Sequence, residues 1–314
     1  MESIRIPYKN DRYGKPCYAR VSWSKGSQPS PQPIALVFHG GGLLVGSAEI
    51  IPKVQTDWLC DNGFVVVIPN YRLAPQVTAA EAFEDCEAAY DWSTTDLLEQ
   101  MAKDHGVELD PVSVVSCGHS SGGTLAMHIG SCKPLKAATA FYPSLFSADL
   151  TTSAHKPTSV PPFGLFPDFT PTDEDWAIIE PAGHQLSGAP LARPGTVPGP
   201  RNKWQMTVLK QGKWPPTVQP DGRYEVMDPM TRLNAQWPPV MIVQGEADNV
   251  PGSSLELAQR AEHAMKGAGV KEVRLEVVSG EGHMFDLPPT VGTTDVGPRW
   301  EAVVTGLEWL RSHV

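Results

Sequence analysis

Six apolar runs punctuate the chain: IALVF (34–38), FVVVIP (64–69), SVVSC (113–117), AATAFY (137–142), VMIVQG (240–245) and VRLEVV (273–278). Each is short and nearly unbroken, which predicts strands covered on both faces, as in a parallel sheet. Segments with helical spacing separate them. EIIPKVQTDWLCDNG ends at Gly63, TAAEAFEDCEAAYDW carries apolar residues on one face, and SLELAQRAEHAMKGAG closes on glycine stop signals. The chain finishes in GPRWEAVVTGLEWLRSH, where Pro298 suits a first helical turn. Strands alternating with helices predict an α/β fold, with a mostly parallel central sheet flanked by helices. Two earlier segments, SIRIPY and CYARVSW, alternate and predict an antiparallel hairpin at the sheet edge.

One stretch breaks this rhythm. Residues 146–236 show no strand–helix alternation and hold 14 of the 31 prolines, with only DEDWAIIE and RNKWQMTVLK patterned as helices. A structureless linker of that length is improbable inside a domain. It also carries Phe163, Phe166, Phe169, Trp176, Trp204 and Trp214, too many large apolar groups for a solvated tether. The pattern predicts a proline-rich cap, 146–236, inserted into a core made of 1–145 and 237–314. Phe166, Trp176 and Trp214 are its candidates for lining a substrate pocket.

Composition narrows the functional classes. With 41% hydrophobic and 19% charged residues, the chain has the make-up of a folded protein. A net charge of −10 with scattered basic residues argues against a nucleic-acid partner. The polar start MESIRIPYKNDRYGKP lacks the apolar stretch of a signal peptide, and no run reaches the ~18 apolar residues of a membrane span. Five cysteines without a C-x-x-C pair, and no N-x-S/T sequon, fit reduced thiols in a cytoplasmic protein and offer no zinc site.

The candidate chemistry begins at SCGHSSGG, 116–123, directly after an apolar run. A strand-to-helix elbow holds one side chain at its apex and requires small residues two before and two after it. Gly118 and Gly122 meet that need for Ser120. His119 fails it for Ser121, and Ser116 lies within the strand, so Ser120 is the candidate nucleophile. The loop His39-Gly40-Gly41-Gly42, following another strand, presents backbone N–H groups suited to a developing oxyanion, joined by the N–H of Ser121. No G-K-[ST] follows, which excludes a phosphate-binding P-loop. His283, in the glycine-rich GEGHMFD after a late strand, is the candidate base. VMIVQGEADNV offers Glu246 and Asp248 as the acid; Asp248, three residues past Gly245, is better placed to curl back. Ser120…Asp248…His283 is the chain order of a hydrolase triad.

Together HGGG, NYRLAP, AAEAFEDCEAAYDW, GHSSGG and GEGHMFD resemble the hormone-sensitive-lipase-like branch of the α/β-hydrolases. The resemblance implies carboxylester hydrolysis, an oxyanion hole from Gly40, Gly41 and Ser121, and no metal or organic cofactor. It implies a linking, structural role for Tyr71 and Arg72. Two departures stand out: that branch usually has an acidic residue and alanine around the serine, where this chain has His119 and Ser121, and the usual N-terminal helical cap is absent. In general character the chain is similar to hydrolases of fungal secondary metabolism. The expected activity is a serine esterase acting through an acyl-enzyme on a small to medium hydrophobic ester. A second reading is a thioesterase, transesterase or cyclase acting on an acyl thioester, including one bound to an acyl carrier. A third is a non-catalytic ligand receptor on the same fold, although such proteins typically lack a triad member.

Overall fold

The computed structural model describes residues 1–26, 30–149, 167–192, 197–286 and 299–314. Eight strands form one sheet: β1 (Glu2–Asn10), β2 (Pro16–Trp23), β3 (Gln32–Phe38), β4 (Val65–Pro69), β5 (Leu109–His119), β6 (Ala137–Phe141), β7 (Val240–Gly245) and β8 (Val273–Val278). Their spatial order is β1-β2-β4-β3-β5-β6-β7-β8. β1 pairs antiparallel with β2, and β2 with β4, as expected for an edge hairpin; every later pairing is parallel.

Nine described helices accompany the sheet: α1 (Lys53–Asp61), α2 (Ala79–Ser93), α3 (Asp96–His105), α4 (Ser121–Cys132), α5 (Asp173–Ile179), α6 (Pro200–Lys210), α7 (Trp214–Val218), α8 (Leu255–Gly267) and α9 (Trp300–Arg311). Helix starts follow their capping chemistry. Thr78 and Glu81 form a reciprocal capping box on α2, and Thr172 and Asp175 form another on α5.

Two details differ from the sequence reading. EIIPKVQTDWLCDNG is not one helix: a 3-10 turn covers Ala48–Ile50 and α1 starts only after Pro52, whose ring suits a helix entrance and not its interior. β8 is not covered on both faces. It is the edge strand, and Arg274 and Glu276 pair with each other at 2.9 Å on its partly exposed side. Pro298 lies outside the described residues.

The described parts of 146–236 contribute no strand to the sheet. Their large apolar groups enter the main core: Ile179, Trp204, Val208, Trp214, Val218 and Met227 share one buried cluster with Ile34, Leu36 and Phe38 of β3. An isolated bridge joins Ala189 to Gly46, just beyond β3. Arg72 grips Asp85 of α2 with two nitrogens and reaches Gln185 Oε1 at 3.0 Å, tying the YRLAP segment to α2 and to this stretch. Among the described residues no helix is long and apolar enough to cross a membrane.

The register sets where chemistry can occur. Phe38 stands opposite Gly118, and His119 opposite Phe141, so the carboxyl ends of β3, β5 and β6 lie side by side, followed by β7. In such sheets ligands bind beyond the carboxyl ends of the strands. Ser120 follows β5, Asp248 follows β7 and His283 follows β8, which pairs in parallel with β7, so all three candidates leave the sheet at this side.

Candidate active site

The turn from β5 into α4 places Ser120 at φ 57°, ψ −125°, a conformation that a non-glycine residue adopts only at a cost of about 1–3 kcal/mol. Three backbone bonds hold it there. Ser120 N–H donates to Phe141 O at 2.9 Å, while Ser120 O accepts from Gly123 N–H and Thr124 N–H at 2.8 and 3.2 Å. The flanking glycines are sterically required. A Cβ on Gly118 would overlap the Gly122 carbonyl, and one on Gly122 would overlap the Phe38 carbonyl.

Beyond β7 and β8 the other two candidates meet this serine. His283 Nε2 lies 2.9 Å from Ser120 Oγ, and His283 Nδ1 lies 2.7 Å from Asp248 Oδ2. A carboxylate only accepts, so Nδ1 carries the proton, Nε2 is the free acceptor, and the serine hydroxyl donates to it. Asp248 is itself fixed, accepting from Gln244 Nε2 and from Val250 N–H, both at 3.0 Å. Its side chain is fully covered. Glu246 turns away to accept from Ser279 Oγ at 2.7 Å and Gly280 N–H at 2.8 Å. A Cβ on Gly245 would stand 2.6 Å from Glu281 O, so glycine there lets the β7 end and the histidine loop approach.

The glycine loop after β3 abuts the elbow: a Cβ on Gly40 would lie 3.2 Å from Ser120 Cβ and 2.7 Å from His119 O. Its first two carbonyls are tied down. His39 O accepts from the Tyr71 hydroxyl at 2.7 Å, and Gly40 O accepts from His39 Nδ1 at 2.9 Å. Burial pushes the His39 imidazole down to about 4, so it is neutral with its proton on Nδ1, and it stacks on Tyr71 at 4.2 Å. Because C=O and N–H point oppositely across a trans peptide, these bonds aim the N–H groups of Gly40 and Gly41 the other way. No acceptor among the described residues takes either one. The Ser121 N–H, at the first position of α4, belongs to the donors that a helix start leaves without intrahelical partners. The Ser121 hydroxyl has a separate task, accepting Gly42 N–H at 3.0 Å.

Behind the relay lies a buried group that the sequence reading missed. Asp286 accepts from the Tyr142 hydroxyl and from Gln55 Nε2 at 2.7 Å, and its Oδ2 lies 3.0 Å from His119 Nε2. Burial alone would raise this carboxyl, but the facing His119 and the donated hydrogen bonds hold it below its ordinary range. His119 stacks on Phe141 at 4.9 Å, and Tyr142 meets His283 edge-on at 4.7 Å. Asp286 thus ties the elbow, the end of β6, helix α1 and the histidine loop into one unit. Its position three residues after His283 was the only signal of it in the sequence.

The three pocket candidates fall in different places. Phe166 lies outside the described residues. Trp176, 38% exposed on α5, meets Trp204 edge-on at 5.8 Å. Trp214 is buried, and its indole N–H donates to Gly42 O at 2.7 Å. Away from the site, Glu87, His128 and Cys132 bring three possible metal-ligand atoms within 4.8 Å. The group is poorly suited to a cation: His128 Nε2 is engaged by Glu87 at 2.8 Å, and its Nδ1 faces the Arg232 guanidinium at 3.5 Å, where a metal-bound histidine would need an acceptor.

Comparison with known proteins bears on the fold that carries this site. A family profile described as alpha/beta hydrolase fold matches residues 35–162. A non-reducing polyketide synthase of Aspergillus calidoustus is 30% identical over 95% of this chain, but the match covers only 13% of that protein. The chain spans about 13–14% of the length of the first such synthases it matches. A probable carboxylesterase of a Phoma species is 27% identical over 75% of each chain. Among solved structures, a thermophilic esterase of Thermogutta terrifontis is similar at a TM-score of 0.62 with 21% identity, covering 99% of this chain and 92% of that one.

Proposed function

The chain is an α/β-hydrolase-fold protein resembling the hormone-sensitive-lipase-like esterases, and from the geometry at its strand ends we propose that it is a serine carboxylester hydrolase. The observation that carries this reading is the unbroken relay of Ser120 Oγ to His283 Nε2 at 2.9 Å and His283 Nδ1 to Asp248 Oδ2 at 2.7 Å. Ser120 Oγ bonds to the acyl carbon as its proton passes to His283 Nε2, and the carbonyl electron pair moves onto oxygen. The N–H groups of Gly40, Gly41 and Ser121 receive that oxyanion. Its collapse forms the acyl-enzyme and expels the alcohol oxygen, which takes the proton from His283. Water then attacks in the same way, and Ser120 recovers its proton as the acid departs. Asp248 keeps the imidazole in the required tautomer and stabilises its charged form. The cycle closes with substrate, water and the chain's own side chains.

A fluorophosphonate reagent should label Ser120, and short and medium acyl esters should be turned over by the natural sequence and not by Ser120→Ala. Absence of both labelling and turnover would instead favour a ligand receptor on this fold. Similarity over 95% of the chain to part of a polyketide synthase favours a second reading, release or transfer of an acyl thioester, including one held by an acyl carrier. Rates on matched esters and thioesters, with and without an added alcohol acceptor, separate hydrolysis from transfer.

A further inference from the structure

We propose that helices α6 and α7 act on the chemical step, because their residues Gln205, Trp214 and Arg201 position the oxyanion donors. The inference rests on the serine-hydrolase reading above and deepens it. The glycine loop is intrinsically loose: Gly41, Gly42 and Leu43 all have positive φ (122°, 63° and 61°), and two of the three are glycines with maximal backbone freedom. An oxyanion hole is effective only if its donors are held in place before the charge develops. What holds them can be followed carbonyl by carbonyl. Tyr71 and His39 fix the carbonyls of His39 and Gly40. Beyond that, Gly41 O accepts from Gln205 Nε2 at 3.0 Å, beside Leu44 N–H and Val45 N–H. Gly42 O accepts from Trp214 Nε1 at 2.7 Å, Leu43 O from Ala74 N–H at 2.9 Å, and Leu44 O from Arg201 Nε at 2.6 Å. Three of these four carbonyls are therefore anchored by α6 and α7.

Arg201 makes this anchoring rigid. Its guanidinium is buried and also donates to Ile179 O at the end of α5 and to Ala74 O within the YRLAP segment. Among the described residues no carboxylate is a hydrogen-bond partner of Arg201, and burial pushes it down to about 10, which still leaves it a cation at neutral pH. A buried cation is costly unless its donors are satisfied. Here the satisfying acceptors belong to three separate segments, so displacing any one of them strands part of the guanidinium. The simpler account, that these side chains merely cap spare carbonyls, requires them to affect stability alone. Positioning requires them to affect the transition state.

The test compares Trp214→Phe, which keeps an aromatic ring and deletes the N–H, with Gln205→Met, which keeps length and deletes the amide. Kinetics on p-nitrophenyl butyrate give kcat and KM, and a trifluoromethyl ketone, whose tetrahedral adduct carries the oxyanion, gives Ki. Each variant should lose about tenfold in kcat and a matching factor in Ki, with KM within about threefold, since the donors act on the transition state. Variants that are only less heat-stable, with kcat and Ki unchanged, would overturn the inference. So would losses in kcat that vary with acyl length, which would make these residues part of the pocket. If one variant does not fold, the other decides. Loss of turnover in Ser120→Ala, with full turnover in the natural sequence, shows that a failed inference leaves the hydrolase reading standing. A natural sequence without turnover would sink both.

Discussion

The two adjacent serines, Ser120 and Ser121, should respond to alanine in opposite ways. Ser120→Ala deletes the nucleophile and should cost on the order of 10⁴ or more in kcat, as for other triad knockouts. Ser121→Ala keeps the backbone N–H proposed above as an oxyanion donor. It removes the buried hydroxyl that accepts at 3.0 Å from the N–H of the half-buried Gly42. The Gly42 N–H cannot easily turn to another acceptor, because its peptide partner, Gly41 O, is held by Gln205, Leu44 and Val45. A fully buried donor left without a partner costs about 1–3 kcal/mol, and the half-buried Gly42 N–H sets the expected loss at the low end of that range. That cost should therefore appear in folding stability and not in the chemical step. Denaturant unfolding of Ser121→Ala should show a loss in this range, with kcat on a short ester within about threefold of the natural sequence. If Ser121→Ala is as stable as the natural sequence but loses most of its turnover, then the hydroxyl, and not the insert, orients the donors. If Ser121→Ala is dead and Ser120→Ala active, the elbow has been assigned to the wrong serine.

Asp248→Asn should fold and lose on the order of 10⁴ in kcat, while Glu246→Gln, whose carboxylate is occupied by Ser279 and Gly280, should be mild; the reverse ranking in steady-state kinetics would move the acid to Glu246. His39 is buried neutral at about 4 against an ordinary 6.5, so its stabilising contribution is complete above pH 6.5 and is lost as pH falls toward 4. The loss totals about 3 kcal/mol, and His39→Gln, which retains a side-chain donor, should show a shallower pH slope in denaturant melts between those limits; equal slopes would refute the assignment. Trp176→Ala, half-exposed against Trp204, should shift preference among acetyl, hexanoyl and aromatic esters while acetyl turnover stays within about tenfold, or about 1.4 kcal/mol of barrier. An equal loss on all three esters by a folded variant would count against a pocket role.

What the sequence made legible was whatever burial or steric demand writes locally. VMIVQG is β7 to the residue: all six positions are buried, and the one polar side chain, Gln244, is hydrogen-bonded to Asp248. VRLEVV also matches β8 in extent, but its arginine and glutamate mark an edge strand with one face in water, and the apolar positions alone concealed that. The break at Pro52 is visible as a proline near the start of a segment whose apolar spacing alone suggests one continuous helix. The elbow was the most legible feature of all. Gly118 and Gly122 are small because backbone carbonyls fill the space their side chains would need, and only one serine in SCGHSSGG stands between two such residues.

The supports of the site were harder to read for a physical reason. Most of them are hydrogen bonds from a side chain to a main-chain carbonyl, and every residue has a carbonyl, so nothing in the acceptor's identity announces the bond. Gln205 reaches Gly41 across 164 positions and Trp214 reaches Gly42 across 172, and the elements between them leave no periodic trace of the pairing. The apolar surface of Trp214 makes it a pocket candidate, but nothing in the sequence points to its indole N–H, which donates to Gly42 O. The two departures around the nucleophile carry the same lesson from the other side. His119 in place of an acid finds a buried carboxylate in Asp286, and Ser121 in place of alanine finds Gly42 N–H. Each departure was visible in the sequence as an oddity. Its partner became identifiable only once the fold had brought the strand ends, the glycine loop and the insert together. A residue that breaks a local pattern beside a reactive group is therefore best treated as one half of a contact, with the other half sought among the polar residues that the topology delivers to the same end of the sheet.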